Sequence, residues 1–221
     1  MTAAIEGQTG TQVAGKKPRR RVYQRKTDVV LAAAERAFLQ SGYAATSMDA
    51  VADMAGVSKR TVYSNFGSKQ DLFAAVIRKR CAEAVPEALD TSHLQTDNPR
   101  DVLVEMATAF LTAIYSPVQV ELYQTVVAES RQFPELGRIM VDGPILQTQL
   151  IFDEFLHEQV RLGHLSFADP SIAAAQLVGM LKTNLHMRLL FNQPVSRVPE
   201  ELRAKAESSV ALFLDGARPR S

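Results

Sequence analysis

Residues 58–73 read SKRTVYSNFGSKQDLF, and their types suit one kind of chemistry, the binding of a polyanion. Ser58 stands where a helix would be capped. The first-turn amides behind it carry the positive end of the helix dipole, beside the cations Lys59 and Arg60. Thr61 adds a donor and a methyl group, suited to a base edge or a thymine methyl. Tyr63, Ser64 and Asn65 lie further along the same helix, and Lys69 stands at the start of the next, a phosphate-binding position. Val62 and Phe66, four apart, face the other way as anchors. Hydroxyls, cations and amides on one face describe a surface for DNA phosphates and major-groove edges. Taken alone, the stretch also fits an ordinary solvated turn with two caps, so its surroundings decide.

Those surroundings are helical. Val30, Ala34, Ala37 and Phe38 recur at helical spacing, and Ser41-Gly42 ends that run. Thr46-Ser47-Met48-Asp49 reads as a capping box with Thr46 as the cap, and Thr46 and Ser47 join the DNA-facing set. Val51, Ala52 and Ala55 form the inner face of a short helix that leaves through a left-handed Gly56. A second short helix follows over 59–65, and Ser68-Lys69-Gln70-Asp71 is a second capping box, opening a long linking helix over 68–88. Helix, a turn of about three residues containing Gly, then helix is the connection of a helix-turn-helix.

Upstream, KKPRRRVYQRK over 16–26 holds seven cations and no acid. It reads as the end of a disordered arm over 1–26 that brings Arg19, Arg20, Arg21 and Arg25 to phosphates. Residues 1–80 carry 14 Lys and Arg against 6 Asp and Glu, and the remainder 11 against 18, so a net charge of +1 hides a basic front on an acidic back. Downstream the pattern is almost wholly helical, with helices over 99–115, 118–131, 135–141, 144–162, 170–191 and 199–214, each opened near a proline, where a missing amide costs little. The fold class is all-α: a three-helix DNA-binding domain over 27–67, then a helical bundle over 68–221. No apolar run is long enough for a membrane span, and the single cysteine, Cys81, points to the cytoplasm.

Other chemistries find little support. Gly10 to Lys16 has the spacing of a phosphate loop, but Lys17 replaces the magnesium-binding hydroxyl and no strand precedes it. His157 and His164 lack a third ligand, so no metal site or cofactor is expected. Cys81 has no nearby histidine and no Gly-x-Ser-x-Gly occurs, so no nucleophilic enzyme is expected.

Residues 27–77 resemble the DNA-binding domain of the TetR family of transcriptional regulators. The resemblance is carried by Gly42-Tyr43, Thr46-Ser47, Ala55-Gly56-Val57-Ser58 and Tyr63-Ser64-Asn65-Phe66-Gly67-Ser68-Lys69. Residues 116–191 resemble the AcrR/AefR-like branch through VVAESRQFPELGRIMVDGP. Arg60 stands where the family often has a small residue, and Ser64 where an aromatic is common. The resemblance implies a homodimeric repressor, released from a palindromic operator in double-stranded DNA by a small-molecule effector. An activator or dual regulator of the same fold is the alternative, and a helical enzyme the rival from another class.

Met106, Phe110, Ile114, Tyr123 and Phe152 are candidates for an effector pocket, although ordinary core packing explains them equally well. Phe155, Leu156, Ala174, Ala175, Val178, Leu181 and Leu185 are candidates for a self-complementary dimer face. The arm generates the first prediction. Each phosphate it neutralises adds roughly 0.9 to the slope of log K against log salt. Deleting residues 1–24 should weaken DNA binding and flatten that slope, and a truncated chain with unchanged slope and affinity would reduce the arm to a solubility tail.

Overall fold

The computed structural model describes residues 18–84 and 96–215. Helix α1 (Pro18–Ala45) opens on a proline, at the position where a missing amide leaves no bond unmade. The basic stretch therefore continues as helical backbone from Pro18, where an extended arm through residue 26 was expected. No Gly or second Pro separates Arg19 from Val30 to break it. At Gly42 the helix breaks, with φ 77° and ψ 170°, a region essentially reserved for glycine.

Helices α2 (Met48–Ala55) and α3 (Lys59–Phe66) make the helix-turn-helix. The cap of α2 is Ser47, whose hydroxyl accepts the Ala50 amide at 3.0 Å, one residue later than the box centred on Thr46. Thr46 is buried, and its hydroxyl faces the carbonyls of Ala37 and Gly42, donating at 3.1 and 2.7 Å. It ties α2 to the end of α1. Gly56 leaves α2 in the left-handed region at φ 64°, and Ser58 caps α3 through the Thr61 amide. Helix α4 (Lys69–Ala84) is opened by Ser68, which accepts the Asp71 amide at 3.1 Å and donates to the Asp71 carboxylate at 2.7 Å.

The C-terminal half comprises α5 (Pro99–Ile114), α6 (Pro117–Glu129), α7 (Pro134–Met140), α8 (Leu146–Arg161), α9 (Pro170–Leu190) and α10 (Pro199–Asp215). Pro144 does not start α8. It lies inside a π-helical turn, Val141–Ile145, that joins α7 to α8 without a loop. Helix α9 is bent at Thr183, where φ is 41° and ψ −146°, an unusual conformation for a β-branched residue. The bend strands the Lys182 carbonyl, which accepts a hydrogen bond from the Tyr115 hydroxyl at 3.0 Å, while Lys205 donates to the Thr183 hydroxyl at 2.5 Å.

Two cores result. One gathers α5, α8, α9 and α10 around Leu111, Tyr115, Phe155 and Leu177. The other gathers α1 to α4 around Phe38, Val51, Val62 and Phe73, and it also takes in Leu122 and Val126 of α6 with Leu136 and Met140 of α7. The first three helices therefore do not close a core alone. Residues 69–77 of α4 and the α6–α7 corner complete it.

Gly42 generates a prediction. A Cβ there would stand 2.8 Å from Glu129 Oε1, the group that accepts the Ala44 amide at 3.3 Å. Gly42→Ala should cost about 1–2 kcal/mol from backbone conformation alone. It should also displace Glu129, so Glu129→Ala should cost less in the Gly42→Ala background than in the wild type. Urea unfolding of the four chains measures that coupling, and strict additivity would show that the two positions do not touch.

Candidate nucleic-acid interface

The outward face of α3 brings Ser58, Lys59, Arg60, Tyr63 and Ser64 to the surface together, with Thr61 and Asn65 half-buried at its edge. Val62 and Phe66 are buried beneath them. Ser58 and Thr61 share a hydroxyl–hydroxyl bond of 2.8 Å, and Ser64 donates to the Thr61 carbonyl at 3.1 Å, so three hydroxyls of this face are held by their own helix. Tyr63 is 49% exposed, a large ring standing out from the surface. Ser47 is exposed at the start of α2, whereas Thr46 is buried, its hydroxyl turned to the carbonyls of α1.

Two cations differ from the sequence reading. Lys59 pairs with Asp49 of α2 at 2.5 Å, across the angle of the helix-turn-helix, and this partner holds the lysine pKa above its ordinary value. A phosphate must compete with Asp49 for Lys59. The Lys69 ammonium turns inward: it donates to the carbonyls of Tyr43 at 2.8 Å and Ala44 at 3.2 Å, and sits 4.5 Å from the centre of the Tyr43 ring. Its partners give it the role of a clip between α4 and the end of α1, in place of a free phosphate ligand. Arg60 is exposed. The side chains of Arg19, Arg20, Arg21, Arg25 and Cys81, and all of residues 1–17 and 85–95, lie outside the described residues.

Between the two cores lies a cavity of about 520 Å³, lined from α5, α6, the π-helical turn, α8 and α9, with Ala82 of α4 and Met140 of α7. Of the candidates for an effector pocket, Phe110, Ile114 and Tyr123 line this cavity. Met106 and Phe152 do not: both are buried, and Phe152 packs edge-on against Phe110 at 6.0 Å as ordinary core. The sequence reading missed Lys182, His186, Gln119, Gln124 and the π-turn residues Pro144 and Ile145. The i, i+4 spacing of Val178, Lys182 and His186 was the available signal. Among the described residues no group of three His, Cys, Asp or Glu converges on a metal position.

The dimer candidates divide. Phe155, Leu156, Ala174 and Leu181 are buried within one chain, Val178 lines the cavity and Leu185 packs against the core, because α8 and α9 use those faces for their own bundle. Ala175 is exposed. It belongs to an outer stripe of α9 with Ile172 and Gly179, and Met187 is exposed beyond the bend.

Residues 30–76 match the model of bacterial regulatory proteins of the tetR family, and residues 101–216 match that of the AefR-like transcriptional repressor C-terminal domain. The chain belongs to the TetR family of transcriptional regulators. A TetR-family crystal structure from Mesorhizobium loti MAFF303099 superposes with a TM-score of 0.79 at 26% identity, covering 89% of this chain and 98% of that one. The flavonoid-responsive regulator FrrA superposes with a TM-score of 0.73 at 30% identity, covering 90% of this chain and all of that one. The HTH-type transcriptional activator FasR of Mycolicibacterium smegmatis is 37% identical over 75 residues, 34% of each chain. The match thus spans about a third of the length of the curated relatives.

The α3 face generates a paired prediction. Arg60→Ala should relax sequence preference at one position of each half-site, by roughly 1–3 kcal/mol of discrimination if the guanidinium reads a base. Asp49→Asn frees Lys59 and removes a negative charge, so it should raise affinity for all duplexes alike. Binding to a randomised duplex library measures both, and the reverse pattern would exchange the roles given to positions 59 and 60.

Proposed function

We propose that the chain acts as a homodimeric repressor that binds a palindromic operator and is released by a small apolar effector held in the cavity. One observation carries this reading: α6 belongs to both ends of the molecule. Gln119, Val120, Tyr123 and Gln124 line the cavity, while Leu122 and Val126 on the intervening face enter the core that seats α1 to α4. A ligand that moves α6 moves the seat of the recognition helix. The match to an AefR-like repressor domain favours repression. FasR is named an activator, and the sign of control depends on where the operator lies relative to the promoter. FrrA, named as flavonoid-responsive, supports a small-molecule signal.

In this reading α3 enters the major groove, Ser58 and Ser47 approach phosphates, and the cationic residues 19–25 at the start of α1 extend the contact. No single helix among the described residues is long and apolar enough to cross a membrane, and a regulator of this kind works in the cytoplasm, without catalysis.

The dimer uses the outer face of α9. Ile172 and Met187 are 57% and 51% exposed, and Ala175 and Gly179 between them let a two-fold mate approach closely. Leu146 and Leu150 of α8 are also exposed and are further candidates for the interface. A Cβ at Gly179 meets nothing within 4 Å in the single chain. Gly179→Arg should therefore still fold, keeping its helical circular dichroism, sediment as a monomer and lose most affinity for a palindromic duplex chosen from a random library. A Gly179→Arg chain that remains dimeric with full affinity would move the interface elsewhere, and selection of non-palindromic sites by the wild type would remove the two-fold operator.

A further inference from the structure

The cavity lining contains one fully cationic side chain, Lys182, and no Asp or Glu. Lys182 is half-buried, its ammonium lies 6.0 Å from the centre of the Phe110 ring, and no carboxylate stands within ion-pair distance of it among the described residues. We propose that the effector is an apolar acid whose anionic group sits on Lys182 beside His186 and Tyr123, with its apolar body against Phe110, Ile114 and Ile151. This inference rests on the reading of the cavity as the effector site.

Three observations support it. An unpaired cation in an apolar wall is costly, and a helix that needed only packing would carry Leu or Met there. Burial lowers the Lys182 pKa, the sign of a charge that would gain from a partner. Secondly, Lys182 is held in place by unusual means: Thr183 bends the helix just after it, and Tyr115 grips its own carbonyl at 3.0 Å. Strain of this kind is retained where a side chain must be aimed. Thirdly, polar groups converge beside it. The His186 and Tyr123 rings meet edge-on at 4.7 Å, and His186 is pushed toward its neutral form by burial and by Lys182, so Lys182 carries the charge while the imidazole and phenol supply hydrogen bonds. About 520 Å³ is room for two or three rings or a folded acyl chain.

The test uses two fluorescent probes that differ by one group, 1-anilinonaphthalene-8-sulfonate and the uncharged N-phenyl-1-naphthylamine, titrated into the full chain. The sulfonate should bind at least about tenfold more tightly, the scale of one charge-assisted contact. Lys182→Met should abolish that preference while leaving the neutral probe bound, and Lys182→Arg should keep it. Equal affinities in the wild type, or a preference that survives Lys182→Met, would overturn the proposal, and the wild-type comparison holds even if a variant fails to fold. Val178→Trp, or Ile151→Trp, fills the cavity and should expel both probes. Both probes remaining in folded filled variants would overturn the cavity assignment itself. The sulfonate should also release bound DNA. Tight, Lys182-dependent binding without release would uphold the ligand class and refute the effector reading beneath it.

Discussion

Everything in this chain turns on the corner between α6 and α7, which the N-terminal helices use as their floor. Phe133, in that corner, meets Tyr43 edge-on at 5.0 Å, and Tyr43 meets Phe38 and Phe73 at 5.8 and 5.2 Å. Lys69 lies over Tyr43 and 5.9 Å from Phe133, with its protons on the carbonyls at the end of α1. Glu129 takes the Ala44 amide from the other side. The end of α1 is frayed by Gly42, so its carbonyls and amides lack helical partners. They are satisfied by a cation from α4 and an anion from α6. The three-helix unit is thus oriented by groups outside it.

That arrangement changes which helix connects cavity to DNA surface. Continuity of chain makes α4 the obvious strut, yet the packing gives α6 an equal share. Gln119 lines the cavity and donates to the Arg80 carbonyl at 3.0 Å, and Arg80 pairs with Glu35 of α1. A shift at one face of α6 reaches α1 both through this chain of polar contacts and through Leu122 and Val126. Rigid helices packed at interior density pass such shifts on without absorbing them.

The periodic parts were legible in the sequence. Helix positions from Pro99 onward follow within about two residues of the proline and apolar pattern, because proline at a first turn and a 3.6-residue stripe are local facts. The helix-turn-helix was legible for the same reason, since Gly56, Ser58 and the second cap at Ser68 act over three or four residues. What failed was non-local. Thr46 looks like a cap until Gly42 opens and offers its carbonyl. Lys69 looks like a phosphate ligand until Tyr43 folds beside it. Phe155, Leu156, Ala174 and Leu181 look like an interface because apolar bulk does not say which neighbour will cover it. Lys182 was passed over because a lone lysine in a helix is ordinarily solvated, and only the packing of α9 shows that the face it shares with Val178 lines a cavity.

Two irregular stretches of backbone, the π-helical turn and the bent α9, form part of the cavity wall. A π-helical turn at Val141–Ile145 widens the backbone where α7 runs into α8, and the bend at Thr183 offsets the second half of α9. Each costs backbone free energy, and each places lining residues: Pro144 and Ile145 from one, Lys182 and His186 from the other. If effector and operator are coupled as proposed, a ligand weakens DNA binding only by preferring a dimer whose recognition helices miss the roughly 34–36 Å between half-site centres. Helix α9 then sits at the meeting point of both requirements, because its inner face holds the ligand and its outer face meets the mate. The bend at Thr183 lies between Gly179 on the outer face and His186 in the cavity wall, so any coupling of the two proposed sites through α9 passes through it.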